Sequence, residues 1–290
     1  MPGKVSIVGA GPGPADLLTV RAAQALRAAE VVLHDDLVSA EVLSLCSSSA
    51  ELINVGKRCR RHGTSQEQIN ALMIQHARQN RDVVRLKSGD PAVFGRLGEE
   101  LDALREAEIP FAVIPGITAA AAAASAAELT LTDRRSASTL VVITPHNAGE
   151  NLRPKLALDL ERTTFAVYMP GPDYANTARE LMEMGFDSAT PCAVVSNACR
   201  TSQKVCFLTL DSLRSAPTIV APAVLIVGWV ARANKPRNLC LSANGLLNAE
   251  GRTRAATGNL AVDAYELAVK SAYPPAIDGT NVTSSPSLNL

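Results

Sequence analysis

The stretch "VSIVGAGPGPADLLTV", residues 5–20, decides how the chain begins to fold and raises the question of its ligand. An apolar strand runs into a glycine-rich turn and then into the start of a helix, which is the arrangement of a dinucleotide-binding phosphate loop. Pro14 stands where such a loop has its third glycine, and Pro12 and Pro14 lack the backbone N–H groups that would face a pyrophosphate. The stretch alone therefore predicts a strand-to-helix turn and leaves its ligand open.

The composition is that of a globular α/β protein, with 290 residues, 47% of them hydrophobic and 19% charged. Basic and acidic residues number 28 each, so no overall field attracts nucleic acid or an anionic membrane. The alanine-rich run at 116–131 is shorter than the roughly 20 residues of a bilayer span. Six cysteines without C-x-x-C pairs or zinc spacing favour reduced thiols and no metal site. The sequence starts almost directly with a predicted strand, so we expect no leader segment and a cytoplasmic location.

Short apolar runs alternate with helical patterns along most of the chain, which is typical of parallel strands joined by helical crossovers. In the first half, all but one of the predicted strands have glycine, aspartate or proline among their last two residues. Ligands in open α/β sheets bind beyond the carboxyl ends of the strands. The predicted strands cover 4–10, 30–35, 50–55, 82–89 and 111–116, and the predicted helices cover 15–29, 65–79 and 96–107.

The second half repeats this pattern and then changes after about Lys235. Residues 204–213 follow the preceding strand with too little chain for a helical crossover, so we predict an antiparallel or edge strand there. The other predicted strands cover 138–144, 163–171, 190–198 and 222–230, with a helix at 173–184. We therefore predict an α/β fold with domains at 1–115 and 116–234 and the site in the cleft between them. A flexible tail with one short helix near 261–271 is predicted for 235–290.

Two charged stretches at predicted strand ends each allow two interpretations. Asp35 and Asp36 end the second strand, where a carboxylate either holds a ribose or caps the following helix. The basic run at 57–62 includes Lys57 and Arg58 and is either a site for a multiply anionic ligand or a solvated loop. Neither stretch decides its function alone.

The stretch "RLKSGDPAVFGRLGEE", residues 85–100, carries the strongest functional signal of the individual motifs. A strand stops at Ser88, Gly89 and Asp90, where the glycine permits a ligand to approach the backbone and the aspartate offers a carboxylate. Pro91 then fixes the direction of the chain before a helix. A plain loop is the alternative, but the sequence favours a binding loop.

Together and in this order, these stretches resemble the tetrapyrrole methylase family. The matching segments include "VGAGPG", "ADLLTVRAAQALRAAEVVLHDDLVS", "VGKR", "QEQIN", "VVRLKSGDPAVFGR", "IPFAVIPGIT" and "AVVSNA", and the resemblance runs from residue 3 to about 233. It implies that the opening glycine-proline loop belongs to an S-adenosylmethionine site of a non-Rossmann type. The prolines then agree with the ligand, because this cofactor has no pyrophosphate.

The resemblance implies a homodimeric methyltransferase that adds methyl groups to two pyrrole carbons of uroporphyrinogen III, giving precorrin-2 for siroheme or cobalamin synthesis. It also implies that Asp35 and Lys57 form the family's acid–base pair. Basic side chains are expected to bind the substrate's carboxylates, with Arg58, Arg96 and Arg134 as candidates. The residues implied to line the cofactor pocket are Pro12, Ser88, Gly89, Asp90, Val93, Thr118, Ala119, Met169 and Ala198.

The chain departs from the family's pattern at several of these positions. Ser88 replaces a glycine, His34 a tyrosine, Asp36 an arginine, Asp133 a histidine and Pro170 a glycine. Three alternative functions stay open: methylation of a later cobalamin precursor, methylation of protein or ribosomal RNA, and ligand binding without catalysis. Neutral net charge disfavours the nucleic-acid alternative, while the departures motivate the last one.

Overall fold

The structure is a computed structural model that describes residues 2–56, 64–145, 158–216, 220–232 and 239–242. Within these ranges, two β-sheets alternate with α-helices along the chain, which confirms the predicted α/β fold class. The division into domains at residue 115 stays a prediction.

The first sheet is parallel, with the strand order β3-β2-β4-β1-β5. Its strands are β1 (Val5–Gly9), β2 (Val31–His34), β3 (Glu51–Asn54), β4 (Val83–Lys87) and β5 (Phe111–Ile114). The helices are α1 (Val20–Ala28), α2 (Ala40–Leu43), α3 (Gln66–Arg78) and α4 (Leu97–Glu106), with a 3-10 turn at Ala15–Leu17. All five strands were predicted, whereas the predicted helix at 15–29 is divided and α2 was not predicted.

Helices cover both faces of this sheet and leave the ends of its strands open. One face packs against α1 and α2 through Leu26 and Val42, and the other packs against α3 and α4 through Met73 and Leu104. Strand β4 lies between β2 and β1, and all five of its residues are buried. The loops that follow β1, β4 and β5 therefore meet at one edge of the sheet, where α/β proteins bind ligands.

The second sheet is mostly antiparallel, with the order β11-β9-β8-β10-β7-β6. Its strands are β6 (Thr139–Ile143), β7 (Thr163–Tyr168), β8 (Pro191–Ser196), β9 (Lys204–Thr209), β10 (Ala223–Val227) and β11 (Leu239–Ser242). The helices of this half are α5 (Ala119–Ala126), α6 (Tyr174–Glu183) and α7 (Leu210–Leu213). Among the described strands of this sheet, β6 and β7 are the one parallel pair.

The expectation that the second half repeats the parallel pattern is thus wrong. Strand β10 runs antiparallel between β7 and β8, which are not paired directly. Strands β7 and β8 are buried along their whole length, and continuous apolar runs of this kind are typical of parallel sheets. The antiparallel strand predicted for 204–213 is confirmed over 204–209 by β9, whereas residues 210–213 form α7, which begins at the Thr209 N-cap.

Strand β11 was not predicted, and it lies inside the predicted tail, where it pairs with β9. The predicted helix near 261–271 falls outside the described residues. Cys46, Cys192 and Cys199 carry free thiols, but Cys206 on β9 is disulfide-bonded. The expectation of reduced thiols is therefore wrong at Cys206, where the unpredicted strand β11 places position 240 opposite in the register.

Side chains cap the helices that lead away from the strand ends. Thr64 and Ser65, with Glu67, predict a helix start, and the structure has Ser65 as the N-cap in a reciprocal pair with Gln68 rather than with Glu67. Ser39 caps α2 by accepting a hydrogen bond from the Val42 N–H. None of the helices within the described ranges is long and apolar enough to cross a membrane.

Candidate active site

Three strand-end loops of the first sheet are hydrogen-bonded to one another. Gly11 after β1 and Gly89 after β4 exchange backbone hydrogen bonds of 3.1 and 2.9 Å. The Gly116 N–H, after β5, donates to Asp90 Oδ2 at 2.9 Å, and the Ala92 N–H donates to Asp90 Oδ1 at 2.8 Å. Both carboxylate oxygens of Asp90 therefore accept backbone hydrogen bonds. Through these bonds Asp90 holds the loop after β4 to the loop after β5.

The opening loop, residues 9–14, is held through its carbonyl oxygens. The Pro12 carbonyl accepts a hydrogen bond from Arg200 Nε at 2.8 Å, and the Gly13 carbonyl accepts one from the Ser39 hydroxyl. A phosphate loop works the other way, because it presents N–H groups to its ligand. The geometry therefore agrees with the sequence argument against a dinucleotide.

Gly89 lies next to the start of α5. Gly89 has a φ of +70°, and a Cβ built on it meets nothing closer than the Ala119 nitrogen, at 3.9 Å. Thr118 is the N-cap of α5 but makes no side-chain cap. Instead, the Tyr168 hydroxyl accepts the Ala120 N–H at 2.8 Å and lies 2.5 Å from the Thr118 hydroxyl.

Several of the predicted cofactor residues lie at this helix start or in the loops after β7 and β8. Val93 and Ala119 pack with Tyr168 at the end of β7. Met169 follows with a positive φ of 49° and is 49% exposed. Ala198 lies in the turn after β8, between two residues with positive φ. The structure thus groups Val93, Thr118 and Ala119 at the start of α5 and places Met169 directly after Tyr168.

A pocket of about 260 Å³ opens beside the ends of β2 and β4, and Asp35, Lys87, Ser88 and Arg96 are among the residues that line it. Arg85 Nη2 donates to Asp35 Oδ1 at 2.6 Å, and the Ser88 N–H is 3.4 Å from Oδ2. The Arg85 side chain is 3% exposed and the Asp35 side chain 27% exposed. The carboxylate is therefore held from the interior and faces the pocket.

Behind Asp35, Glu100 of α4 is fully buried. Its Oε1 accepts three hydrogen bonds, from Arg85 Nε at 3.0 Å, Lys87 Nζ at 2.7 Å and Gln66 Nε2 at 3.3 Å. Its Oε2 has no hydrogen-bond partner in the described part of the chain. Two cations and two carboxylates thus form one connected cluster, Asp35, Arg85, Lys87 and Glu100, which we name the Asp35 network.

The charges of the Asp35 network act on Lys87 in opposite directions. Burial and the neighbouring Arg85 guanidinium lower the pKa of Lys87, while Glu100 and Asp35 raise it by smaller amounts. Charges removed from water require compensation, and here each cation is matched by a carboxylate. Loss of one member therefore leaves an opposite charge buried without its partner.

Arg96 lies at the pocket with a left-handed backbone, φ 53°, directly before α4. Its guanidinium binds both oxygens of Glu99 at 2.7 and 2.6 Å, and this carboxylate raises the pKa of Arg96. Arg134 is exposed between α5 and β6 and is not part of this pocket lining. Lys57 and Arg58 lie outside the described residues.

A family model of tetrapyrrole (corrin/porphyrin) methylases matches residues 4–214. This chain belongs to that family. The methylase is 46% identical over 234 residues to siroheme synthase 1 of Yersinia pseudotuberculosis, which covers 79% of this chain and 49% of the relative. It is 45% identical over 232 residues to siroheme synthase of Neisseria meningitidis serogroup B, covering 79% of this chain and 48% of the relative. The chain spans about half the length of these curated relatives.

Solved structures of similar proteins include a uroporphyrin-III-C-methyltransferase from Thermus thermophilus, with 39% identity, a TM-score of 0.65, and coverage of 80% of this chain and 94% of that chain. A structure of a uroporphyrin-III C-methyl transferase from Thermus thermophilus complexed with S-adenyl homocysteine has 34% identity, a TM-score of 0.65, and coverage of 79% of this chain and 94% of that chain. A cobalt precorrin-4 methyltransferase has 27% identity, a TM-score of 0.66, and coverage of 79% and 96%.

Several departures from the family's pattern have local partners in this methylase. The His34 ring nitrogen Nδ1 lies 3.1 Å from the Asp35 carbonyl oxygen, and Asp36 Oδ1 accepts the Asn54 amide at 2.7 Å. Asp133 is bound by Arg135, which lowers the pKa of Asp133 to about 2. The Pro170 carbonyl accepts a hydrogen bond from Thr177. These substitutions are accommodated without an unpaired buried charge.

Arg85, Lys87 and Glu100 were not singled out as functional candidates from the sequence, although their letters lie inside the matching segments. The segment "VVRLKSG" did contain a sign of them, because it places two basic residues in a predicted strand. A central parallel strand is buried on both faces, so Arg85 and Lys87 require carboxylate partners from elsewhere in the chain. The Glu99-Glu100 pair at the start of the following helix is the nearest source.

Proposed function

We propose that this methylase transfers methyl groups from S-adenosylmethionine to two pyrrole carbons of uroporphyrinogen III, giving precorrin-2 for siroheme or cobalamin synthesis. The observation that carries the proposal is the Asp35 carboxylate, which Arg85 and the Ser88 N–H hold at the rim of a pocket beside the strand-end loops. The similarity to solved uroporphyrin-III C-methyltransferases supports the choice of substrate.

The described residues fit S-adenosylmethionine as the second substrate. Gly89 has no side chain next to the start of α5, and small side chains stand at Ala119 and Ala198. The opening loop lacks N–H groups at Pro12 and Pro14, which suits a ligand without phosphates. When bound, S-adenosylmethionine supplies a methyl group activated by its sulfonium. We assign its binding to Pro12, Ser88, Gly89, Asp90, Val93, Thr118, Ala119, Met169 and Ala198.

Asp35 is the proposed catalytic carboxylate. Methylation of a pyrrole carbon leaves a cationic ring that must lose a proton, and a carboxylate at the pocket rim can accept it or orient the pyrrole N–H. Alignment of the reacting carbon accounts for up to roughly 7–11 kcal/mol of barrier lowering in favourable systems. Arg85 restricts the Asp35 side chain to one position and thereby contributes to this alignment. Lys57 is proposed as the other member of the acid–base pair.

Arg96 is the proposed substrate-binding cation at the pocket. Uroporphyrinogen III is a polycarboxylate, and a guanidinium binds a carboxylate through two parallel hydrogen bonds. Glu99 now occupies these donors, so a substrate carboxylate competes with an exposed ion pair, which contributes only about 0–1 kcal/mol. Arg58 and Arg134 are proposed as further substrate-binding residues.

The test is anaerobic incubation of the purified full chain with uroporphyrinogen III and S-adenosylmethionine, followed by mass spectrometry of the tetrapyrrole. We expect two added methyl groups with the wild-type chain and at least a hundredfold slower transfer with Asp35→Asn, because general acid–base groups contribute about 10²- to 10⁴-fold. The control is Asp102→Asn, since Asp102 pairs with Arg105 on the exposed face of α4.

Two results would contradict parts of this proposal. Absence of transfer, despite S-adenosylhomocysteine binding in calorimetry, would favour a later cobalamin precursor or a ligand-binding relative without catalysis. Equal rates in Asp35→Asn and Asp102→Asn would remove Asp35 from the mechanism while leaving the activity in place.

Three further features belong to the same proposal. The chain is proposed to have domains at 1–115 and 116–234 with the site between them, to act as a homodimer and to reside in the cytoplasm. Sedimentation equilibrium of the full chain tests the homodimer, and a single species at the mass of one chain would exclude it.

A further inference from the structure

Arg200 connects two loops of the first sheet to a turn of the second sheet. It lies in the turn between β8 and β9, two residues after Ala198. Its Nε donates to the Pro12 carbonyl at 2.8 Å, and its Nη2 donates to the Leu37 carbonyl at 2.7 Å. One guanidinium therefore links the opening loop to the loop that carries Asp35.

The turn that presents Arg200 is itself fixed to α5. Cys199 Sγ contacts the Ala122 carbonyl at 3.7 Å, and Gln203 Nε2 donates to the Ala126 carbonyl at 3.4 Å. The Cys199 N–H donates to Gln203 Oε1 at 2.8 Å, which closes the turn on itself. The turn that carries Arg200 is thus held against α5, so the two hydrogen bonds of Arg200 set the distance between the first-sheet loops and α5.

The glycine at position 13 of the opening loop fits this arrangement. A Cβ built on Gly13 would lie 2.5 Å from Arg200 Nε, and Gly13 also has a φ of +142°. An alanine there would displace the guanidinium as well as strain the backbone. The loop therefore leaves room for Arg200 where a side chain would exclude it.

Arg200 is an unusual choice for a purely structural link. It is half-buried, and burial lowers its pKa without an opposing contribution from any carboxylate. No hydrogen bond or ion pair joins it to a carboxylate in the described part of the chain. Partial burial of a charge without a counterion is unfavourable, so stability alone does not favour a guanidinium over a neutral donor here.

We infer that Arg200 is a positioning residue for the methyl donor: it holds the Pro12 loop, the loop after Asp35 and the Ala198 turn at the spacing that S-adenosylmethionine binding requires. The inference rests on the proposed function, because Pro12 and Ala198 are proposed cofactor residues. Arg200 acts through the backbone of these loops and is assigned no contact with the reacting atoms.

The experiment measures S-adenosylhomocysteine affinity by calorimetry for the full-length wild type, Arg200→Lys, Arg200→Met and the control Arg214→Met. Arg214 belongs to the same half of the chain and forms a long, exposed ion pair with Asp211. We expect Arg200→Met to bind roughly tenfold more weakly, which corresponds to about 1.4 kcal/mol. Arg200→Lys should recover part of the loss, because one ammonium can reach one carbonyl, and the control should match the wild type.

The melting temperature and the steady-state kinetics separate a positioning role from a structural one. For Arg200→Met we expect a raised KM for S-adenosylmethionine and a kcat within about threefold of the wild type once the donor is saturating. A lowered melting temperature with unchanged S-adenosylhomocysteine affinity would show a structural role only and overturn the inference. Absence of S-adenosylhomocysteine binding in the wild type would instead overturn the cofactor assignment, and the inference with it.

Discussion

The two sides of the candidate site are held in different ways. The opening loop is held through neutral backbone groups: the Gly11–Gly89 pair, and the Pro12 and Gly13 carbonyls, which accept hydrogen bonds from the Arg200 guanidinium and the Ser39 hydroxyl. The Asp35 network is held by charge, with two cations and two carboxylates mostly removed from water. Both lie at the same edge of the first sheet, where the loops after β1 and β4 are paired.

The difference predicts different responses to substitution. A substitution at a neutral contact removes one hydrogen bond or introduces one steric clash, and its effect on stability stays local. In a charged network, removal of one member leaves its partner buried without compensation, and the cost exceeds that of the lost contact. The charged side should therefore be more sensitive to single substitutions and to pH than the neutral side.

The largest expected effect is that of Glu100→Gln. The substitution keeps the shape and an acceptor oxygen but leaves the buried cations Arg85 and Lys87 facing the Asp35 carboxylate alone. We expect the free energy of unfolding, measured by urea denaturation, to fall by about 3–5 kcal/mol. Asp102→Asn on the exposed face of the same helix should change it by less than about 0.5 kcal/mol.

A second substitution tests whether charge imbalance is the reason for the loss of stability in Glu100→Gln. In the double variant Glu100→Gln/Lys87→Met, the network again contains one cation and one carboxylate. We expect the double variant to be more stable than Glu100→Gln alone, a coupling of the kind that contacting residues show. Additive losses would mean that packing, and not charge balance, determines the cost.

Gly9→Ala tests the neutral side and ranks second. A Cβ on Gly9 would lie 2.5 Å from the Gly116 nitrogen and 2.8 Å from the Gly89 carbonyl oxygen, and both are backbone atoms. Because overpacking of this kind costs roughly 1–3 kcal/mol, we expect a loss of that size in urea denaturation.

Gly98→Ala is the matched control for Gly9→Ala. Gly98 lies in α4, and a Cβ there meets nothing within 4 Å, so alanine should raise the free energy of unfolding by up to about 1 kcal/mol. Stability losses of equal size at Gly9 and Gly98 would show that the close approach of Gly9 to the loops after β4 and β5 does not matter for stability.

The sequence predicted the elements of both sides better than their connections. Apolar runs and strand-end residues were sufficient to locate β1, β2, β4 and β5, and with them the edge of the sheet where the candidate site lies. The resemblance to the family supplied Asp35, which the structure places at the pocket with Arg85. Local patterns carry this information because it depends on neighbouring residues.

Long-range partners could not be read from local patterns. Arg200 reaches Pro12 across 188 positions of the chain, and its turn gives no local sign of that contact. Glu100 reads as an exposed first-turn carboxylate of a helix, although it is fully buried. Strand β10 was located, but its antiparallel insertion between β7 and β8 follows from the packing of the whole sheet.

The pH dependence of stability sharpens the comparison, with Lys87 as the titrating group. The pKa of Lys87 in the folded chain is lowered from its ordinary value of 10.5, so the unfolded chain binds the proton more tightly. Its contribution to the free energy of unfolding should therefore rise as pH increases from the lowered value to 10.5 and level off above it. The slope is at most about 1.4 kcal/mol per pH unit for one proton.

The measurement is the difference in unfolding free energy between wild type and Lys87→Arg, because arginine keeps a cation beside Glu100 without titrating in this range. All other groups titrate alike in both chains and cancel. We expect the difference, wild type minus variant, to grow in favour of the wild type as pH rises from the lowered pKa of Lys87 towards 10.5. A constant difference would mean that Lys87 keeps its ordinary pKa in the folded chain.

The smallest expected effect is that of Ser39→Ala on the neutral side. The Ser39 hydroxyl caps α2 at the Val42 N–H and also donates to the Gly13 carbonyl of the opening loop, and loss of an N-cap costs typically about 1 kcal/mol. Ser44→Ala is the control, because the Ser44 hydroxyl donates to the Glu41 carbonyl within the same turn of chain. No charge is involved, so the Ser39→Ala loss should stay constant over the pH range in which Lys87 titrates. A loss that varied with pH in parallel with Lys87 would show that the opening loop and the Asp35 network are coupled, and the division between a neutral and a charged side would fail.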